Sequence, residues 1–545
     1  MDKILKQNYK LILLFILYLA SALAAAFFRE LANTDELWNY TFGVNIAHGL
    51  LPYRDFNYLQ TPLSAALNGL LLVLFGDHIL VMRLAGAALF TAIGMQLYKS
   101  GRCLGMPALW ASLPGFAAIV LFYTNIFFEY SDSILFLLLF MMGIDLKAAA
   151  GQAGSAVPAV PDTESAVLNG SDGGAVPHTE SAGFELSRYT RRWLRPSFQL
   201  AVGLAGGAAI LNKQSYGLFT AAASWVSVFA ICRLIGRGRK ETLKLTFFRM
   251  LGSAIPCAVF LLYLICSGTF GDFLDMCVFG IGSFNSYYRY TALMAEYPGY
   301  FIAGVAMPAG LAVGALFSAL RLRPSVKDPR KRRSGLQMLV ILLYSLFGMI
   351  NMVPLSNLFH FEICSVPVML VAELLLVEFF PWINRRFMRL LAYAAAASSL
   401  IFLLGSNPYT IVTTLGFHTD IADYEGTFIS DKTAGEIRQV DEFIERERAL
   451  GHEVYVVDNM AAFYFNPLNI YHKYLDMFLT GNLGTRTPSL CLEESELPNA
   501  VYLFPDETRS NTQYPTGAVN EFKKMLISDG TLGSFQVYRT ISTGQ

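Results

Sequence analysis

The chain has 545 residues, 54% hydrophobic and only 15% charged, with 41 basic and 41 acidic side chains that cancel. A soluble domain carries about a quarter charged residues, so an ordinary soluble protein is excluded, and with no basic excess a nucleic-acid partner is not expected. The seven cysteines are scattered, without metal-ligand spacing or the density of a disulfide scaffold.

Apolar runs of about 14 to 21 residues recur as far as residue 404, many near the length that crosses a bilayer. The first, residues 11–28, follows Lys3, Lys6 and Lys10. Ser21-Ala22-Leu23-Ala24-Ala25-Ala26 resembles a cleavage site, but the many spans that follow make a signal anchor the better reading. Just past this run stands Asn33-Thr34-Asp35-Glu36. Carboxylates beside a span are costly near lipid and call for a reason. Residues 35–49 have a helical apolar stripe and neighbouring aromatics, as suits a helix lying in the membrane interface. Asp35 there fits a general base; it fits equally a helix N-terminus in which Thr34 or Asp35 caps and Glu36 meets the dipole. Pro52-Tyr53-Arg54-Asp55-Phe56 follows, where Arg54 either pairs with Asp55 or binds a phosphate.

Basic residues collect in cytoplasmic loops. Placing the basic stretches 99–102, 188–195, 233–244, 321–333 and 385–389 inside, with the N-terminus, gives about eleven spans. Residues 61–75, short and opening with Thr-Pro, become an outer juxtamembrane helix, and 79–97 the second span. Counting 61–75 as a span gives twelve and breaks the charge rule. The remaining spans fall at 106–123, 133–146, 198–211, 216–234, 250–267, 300–320, 336–353, 363–380 and 390–404. The unusual polar groups then share the outer face: Asp35, Glu36, Arg54 and Asp55; Glu129 and Asp132; Lys213 and Gln214; Asp272, Asp275 and Arg289; Asn357 and His360. Each has a plain reading too: a polar turn for Glu129 and Asp132, snorkelling for Lys213, a solvated loop for Arg289, a structural interfacial histidine for His360. These charges sit at span ends and no internal repeat is visible, which argues against a transporter.

Residues 148–190 are low in complexity and predict a disordered cytoplasmic linker. Residues 406–545 have soluble composition and predict an extracytoplasmic α/β domain: helix 434–450, strands 453–457, 501–504 and 535–538, and a helix over 519–527. No G-x-G-x-x-G or P-loop is present, so a lipid-borne donor is a better expectation than a soluble nucleotide sugar.

In their order the motifs resemble the GT-C superfamily of polyprenyl-phosphate-dependent glycosyltransferases, in particular the family 39 group with protein O-mannosyltransferases and aminoarabinose transferases. The resemblance runs over about the first 400 residues: Asp35-Glu36, Gly49-Leu50-Leu51-Pro52-Tyr53-Arg54-Asp55, Thr61-Pro62-Leu63, Arg83-Leu84, Glu129 or Asp132, Lys213, and the stretch from Pro354 to His360. It departs at Thr61-Pro62, where the family has Pro-Pro, and at Ser356-Asn357 before the histidine. It implies an α-helical polytopic membrane enzyme with a transmembrane domain over 1–405, outer loop 29–78 included. It also implies inverting transfer of a sugar from a polyprenyl phosphate to a hydroxyl of a glycan, lipid or protein at the outer face of the plasma membrane. Asp35 and Glu36 would be catalytic. Arg54, Lys213, Arg289 and His360 would hold the donor phosphate; Glu129, Asp132, Gln214 and Asn357 would hold acceptor or sugar. A divalent metal is compatible with the acids, though no ligand set stands out. The rival readings are a lipid-linked polysaccharide polymerase or ligase, and a transporter.

Overall fold

A computed structural model describes residues 2–31, 34–152, 189–280, 290–296, 298–353, 356–379, 385–506 and 514–540. Among them, nine helices are long and apolar enough to cross a membrane: Tyr9–Phe27, Ile79–Cys103, Tyr130–Gly151, Gln214–Leu234, Arg239–Cys266, Gly304–Arg321, Pro329–Met352, Leu358–Phe379 and Arg385–Thr414. Two shorter helices, Ala108–Leu121 and Pro196–Asn212, fill the other two predicted spans. The helices that build the site are, in chain order, α1 (Asp2–Phe27), α2 (Thr34–Ala47), α3 (Leu63–Phe75), α4 (Ile79–Cys103), α5 (Ala108–Leu121), α6 (Tyr130–Gln152), α7 (Pro196–Asn212), α8 (Gln214–Leu234) and α9 (Arg239–Cys266). At 13 residues, α3 reaches about 20 Å, short of a hydrocarbon core of about 30 Å, as its juxtamembrane reading requires.

Helix α2 does not lie against lipid as the sequence suggested. Its residues Glu36, Leu37 and Asn39 through Asn45 are buried. Leu37, Tyr40 and Val44 belong to one hydrophobic core with Ile437, Val440, Val454, Phe463 and Val501 of the C-terminal region. Phe42, on another face, packs with Tyr53, Phe56, Tyr58, Met276 and Cys277. The aromatic residues that looked like interfacial anchors are protein core.

The C-terminal region is mixed α/β. Strands β1 (Gly416–His418) and β2 (Thr427–Ile429) form a small antiparallel pair. Strands β3 (Glu453–Val456), β4 (Ala500–Pro505), β5 (Ile527–Leu532) and β6 (Phe535–Arg539) form a sheet in the order β3-β4-β6-β5, with β3 and β4 parallel. The helix expected over 519–527 is Thr516–Lys523, and Ile527 starts β5 instead. Five of the six β5 residues are exposed, so the strand lacks the apolar alternation that would have announced it.

Three further expectations change. The last span does not stop at 404: a π-turn at Phe402–Ser406 carries the helix past Pro408 to Thr414, since such turns accommodate an amide that cannot donate. The linker expected at 148–190 is helical to Gln152, with Ala148, Ala149 and Ala150 buried; residues 153–188 lie outside the described residues. Charges also occur inside the spans. Asp145 on α6 and Arg249 on α9 are fully buried and joined at 3.1 Å. Gln199 and Ser224 accept from Arg249, and Trp193 and Tyr344 donate to Asp145. A buried pair with its remaining hydrogen bonds met is a structural tie between helices.

Candidate functional site

Four interhelical segments are fastened around the start of α2. Glu36 is the anchor. Its carboxylate is buried between Arg29 and Arg83; Arg83 Nε and Nη2 donate to the two oxygens at 2.8 and 3.0 Å. Burial pushes the Glu36 carboxyl up, but the two guanidiniums outweigh it and hold the group below its usual range. Arg29 also donates to the Thr124 carbonyl at 2.6 Å and lies over the Phe127 ring, so the same cation holds the loop between α5 and α6.

That loop sits flat on α4 because of Gly86. A Cβ there would stand 2.4 Å from the Phe127 backbone, closer than any side chain allows. Phe128 N–H donates to Met82 O at 3.1 Å, and Asn68 of α3 donates to Phe128 O at 3.1 Å. Glu129 is thereby delivered beside α2. The corner between α7 and α8 arrives by a second close approach: a Cβ on Gly217 would be 1.9 Å from Ala209 O. Lys213 occupies this corner in extended conformation. Thr61 of the first loop donates to Ile210 O at 2.6 Å, and Gln214 donates to Leu59 O and Cys277 O at 3.1 and 3.2 Å. The first loop, the α7–α8 corner and the segment at Cys277 are thus stitched together.

The result brings Asp35, Glu129, Asp132 and Lys213 into one electrostatic neighbourhood. Asp35 is exposed at the start of α2, in a recess whose surrounding segments are close enough to act on its carboxyl. Burial raises the Asp35 carboxyl, and Lys213 opposes the rise. Glu129 is pushed well above its usual range, by burial first and then by Asp132 and Asp35. Lys213 is lowered to about 8 by burial, against the pull of Glu129 and Asp35. Its ammonium lies 4.8 Å above the Tyr130 ring. The carboxylate oxygens of Glu129 and Asp132 are buried with no hydrogen-bond partner among the described residues, and such groups are rare enough to suggest a ligand or water.

The other expected residues fall elsewhere. Glu36 is a structural anchor whose oxygens are already claimed. Gln214 holds backbone carbonyls. Arg54 stands on an exposed corner, paired with Asp55 at 2.8 Å and facing Asp272. Asn357 accepts from the His360 N–H at 2.8 Å, capping Leu358–Phe379, and His360 is buried. Arg289 lies outside the described residues. Sequence reasoning passed over Arg29 and Tyr130. The one signal for Tyr130 was its place between Glu129 and Asp132. Among the described residues no group of three or more His, Cys, Asp or Glu side chains is arranged to hold a metal ion.

No family model matches the sequence, and no curated protein matches it. Among solved structures, ArnT from Cupriavidus metallidurans in the apo state superposes over 99% of this chain and 99% of its own, with a TM-score of 0.56 at 12% identity. The same protein bound to undecaprenyl phosphate superposes over 98% of this chain and 99% of its own, with a TM-score of 0.51 at 13% identity. At such identity the likeness is one of fold, and it embraces the C-terminal region as well as the helices. The chain is a polytopic helical membrane protein with an ArnT-like fold.

Proposed function

We propose that the protein is a glycosyltransferase that moves a sugar from a polyprenyl phosphate to an acceptor hydroxyl. The observation that carries this reading is the juxtaposition of Asp35, exposed in this recess, with Lys213 and the buried acids Glu129 and Asp132. A cation next to a base is what displacement of a phosphate by a hydroxyl requires. The neighbour of like fold binds undecaprenyl phosphate, which supports a lipid phosphate as the donor.

Asp35 accepts the proton of the acceptor hydroxyl. The acceptor oxygen attacks the anomeric carbon as the bond from that carbon to the phosphate oxygen breaks. The electron pair leaves with polyprenyl phosphate, whose charge Lys213 stabilises. One displacement inverts the anomeric centre. Glu129 and Asp132 accept hydrogen bonds from hydroxyls of the bound sugar or acceptor, a role that suits buried carboxylates left short of partners among the described residues. Glu36, locked by Arg29 and Arg83, fixes the turn that presents Asp35. The basic loops favour an inner N-terminus, with the recess on the outer side of the plasma membrane.

The test is incubation of the purified protein in lipid with a panel of polyprenyl-phosphate sugars and hydroxyl acceptors. The expected result is release of free polyprenyl phosphate together with a product of inverted anomeric configuration. Product of retained configuration would rule out single displacement, and no release from any donor would rule out the donor class.

A further inference from the structure

We propose that the C-terminal region is a working part of the site: through one turn, Asp458-Asn459-Met460, it positions Asp35 by gripping the two side chains that flank it on α2. The inference rests on the reading of Asp35 as the base. Thr34 immediately precedes Asp35. Trp38 lies three residues after it, one helical turn along the same face. Thr34 Oγ1 donates to Met460 Sδ at 3.1 Å, and Trp38 Nε1 donates to Asn459 O at 2.9 Å.

The turn that receives them is itself rigidly held. Asp458 is buried and accepts from the Asn459 N–H at 2.7 Å. Tyr514 donates to Val457 O at 2.8 Å, fixing the strand end from which the turn springs. Further along α2, Asn466 donates to Thr41 Oγ1 at 2.9 Å. The first turn of α2 is therefore held from two sides. Arg29 and Arg83 of the membrane domain hold Glu36, and the C-terminal turn holds Thr34 and Trp38. Asp35 is the residue between these holds, and it is exposed. Each grip is a single neutral hydrogen bond, worth about 1 kcal/mol, so its loss loosens the turn without unfolding the molecule. A displacement of about 1 Å at a reacting group costs about a hundredfold in rate. Thr34 and Trp38 are thus positioning residues, acting through Asp35.

The test uses the full-length protein in lipid. Trp38→Phe keeps the ring and removes the donor; Met460→Leu keeps the shape and removes the acceptor; Thr34→Ala and Thr34→Ser form a loss-and-rescue pair. Turnover with a polyprenyl-phosphate sugar, its pH profile, and hydrogen exchange of residues 34–47 are read together. The Trp38→Phe/Met460→Leu protein is expected to lose about 10- to 100-fold in kcat with the donor KM within about twofold of wild type. Its acidic pH limb should shift, and amides of α2 should exchange faster. Thr34→Ala should show the same signs and Thr34→Ser should restore them. Unchanged kcat, unchanged exchange, or a raised KM at unchanged kcat would each overturn the proposal. If the double variant fails to fold, the Thr34 pair decides by the same criteria. A wild-type protein without transfer activity would defeat the glycosyltransferase reading, while the exchange data would still judge the grip on α2.

Discussion

Lys213 carries its charge where its surroundings make that costly. A lysine is charged below its pKa, and burial lowers this one to about 8. If it holds the donor phosphate as proposed, that attraction is full near neutrality and is lost as pH rises through about 8. Asp35 acts as a base only when deprotonated, and burial raises its pKa, so activity also falls at low pH. kcat/KM, which reports the free enzyme, is expected to be bell-shaped with an alkaline limb near pH 8. Lys213→Arg should move that limb upward, because a guanidinium does not titrate there; an alkaline limb unmoved by this change would remove Lys213 from phosphate binding. Arg83 tests the other kind of charge. Arg83→Met leaves Glu36 buried with one partner fewer, and is expected to cost about 3–5 kcal/mol, read as a lowered unfolding midpoint in detergent. Asp35, Glu129 and Lys213 were visible in the sequence as unusual charges at span ends. The division of labour between Asp35 and Glu36 was not, because it depends on Arg29 and Arg83, and the latter is 47 residues away. For Arg54 the plainer of the two sequence readings is the one the structure displays, an ion pair with its immediate neighbour Asp55.

At the scale of elements, close backbone approaches deliver the side chains. Gly86→Ala would force the loop between α5 and α6 off α4, since its Cβ meets the Phe127 backbone at 2.4 Å. The expected result is a loss of about 1–3 kcal/mol of stability and a larger loss of transfer, because Glu129 moves with the loop. Gly310→Ala is the control: nothing lies within 4 Å of its Cβ, and both quantities should stay at wild-type values. Equal effects of the two substitutions would show that the loop's seat on α4 does not matter. The long spans were legible because hydropathy and basic loops are local signals. The burial of α2 was not, because its apolar stripe is the same whether it faces lipid or another domain. β5 was missed because an exposed strand carries no alternation, and the extension to Thr414 because Pro408 reads as a stop.

For the whole molecule, the membrane helices and the C-terminal sheet are one construction around α2. Leu37, Tyr40 and Val44 fill the same core as the sheet's Val454 and Val501. Truncation after residue 415 is therefore expected to strip protection from α2 in hydrogen exchange, whereas a freely separable domain would leave it intact. A fold shared with ArnT at 12% identity shows how few particular residues specify it: the long apolar spans and the basic loops between them were enough to read its helices. The claim on which the account rests is that Asp35 is the base of this site. The direct measurement sets wild type beside Asp35→Asn in lipid, following donor binding and release of polyprenyl phosphate in the same preparation. The account expects the variant to fold and bind donor while release falls by about a hundredfold or more; release at the wild-type rate would contradict it.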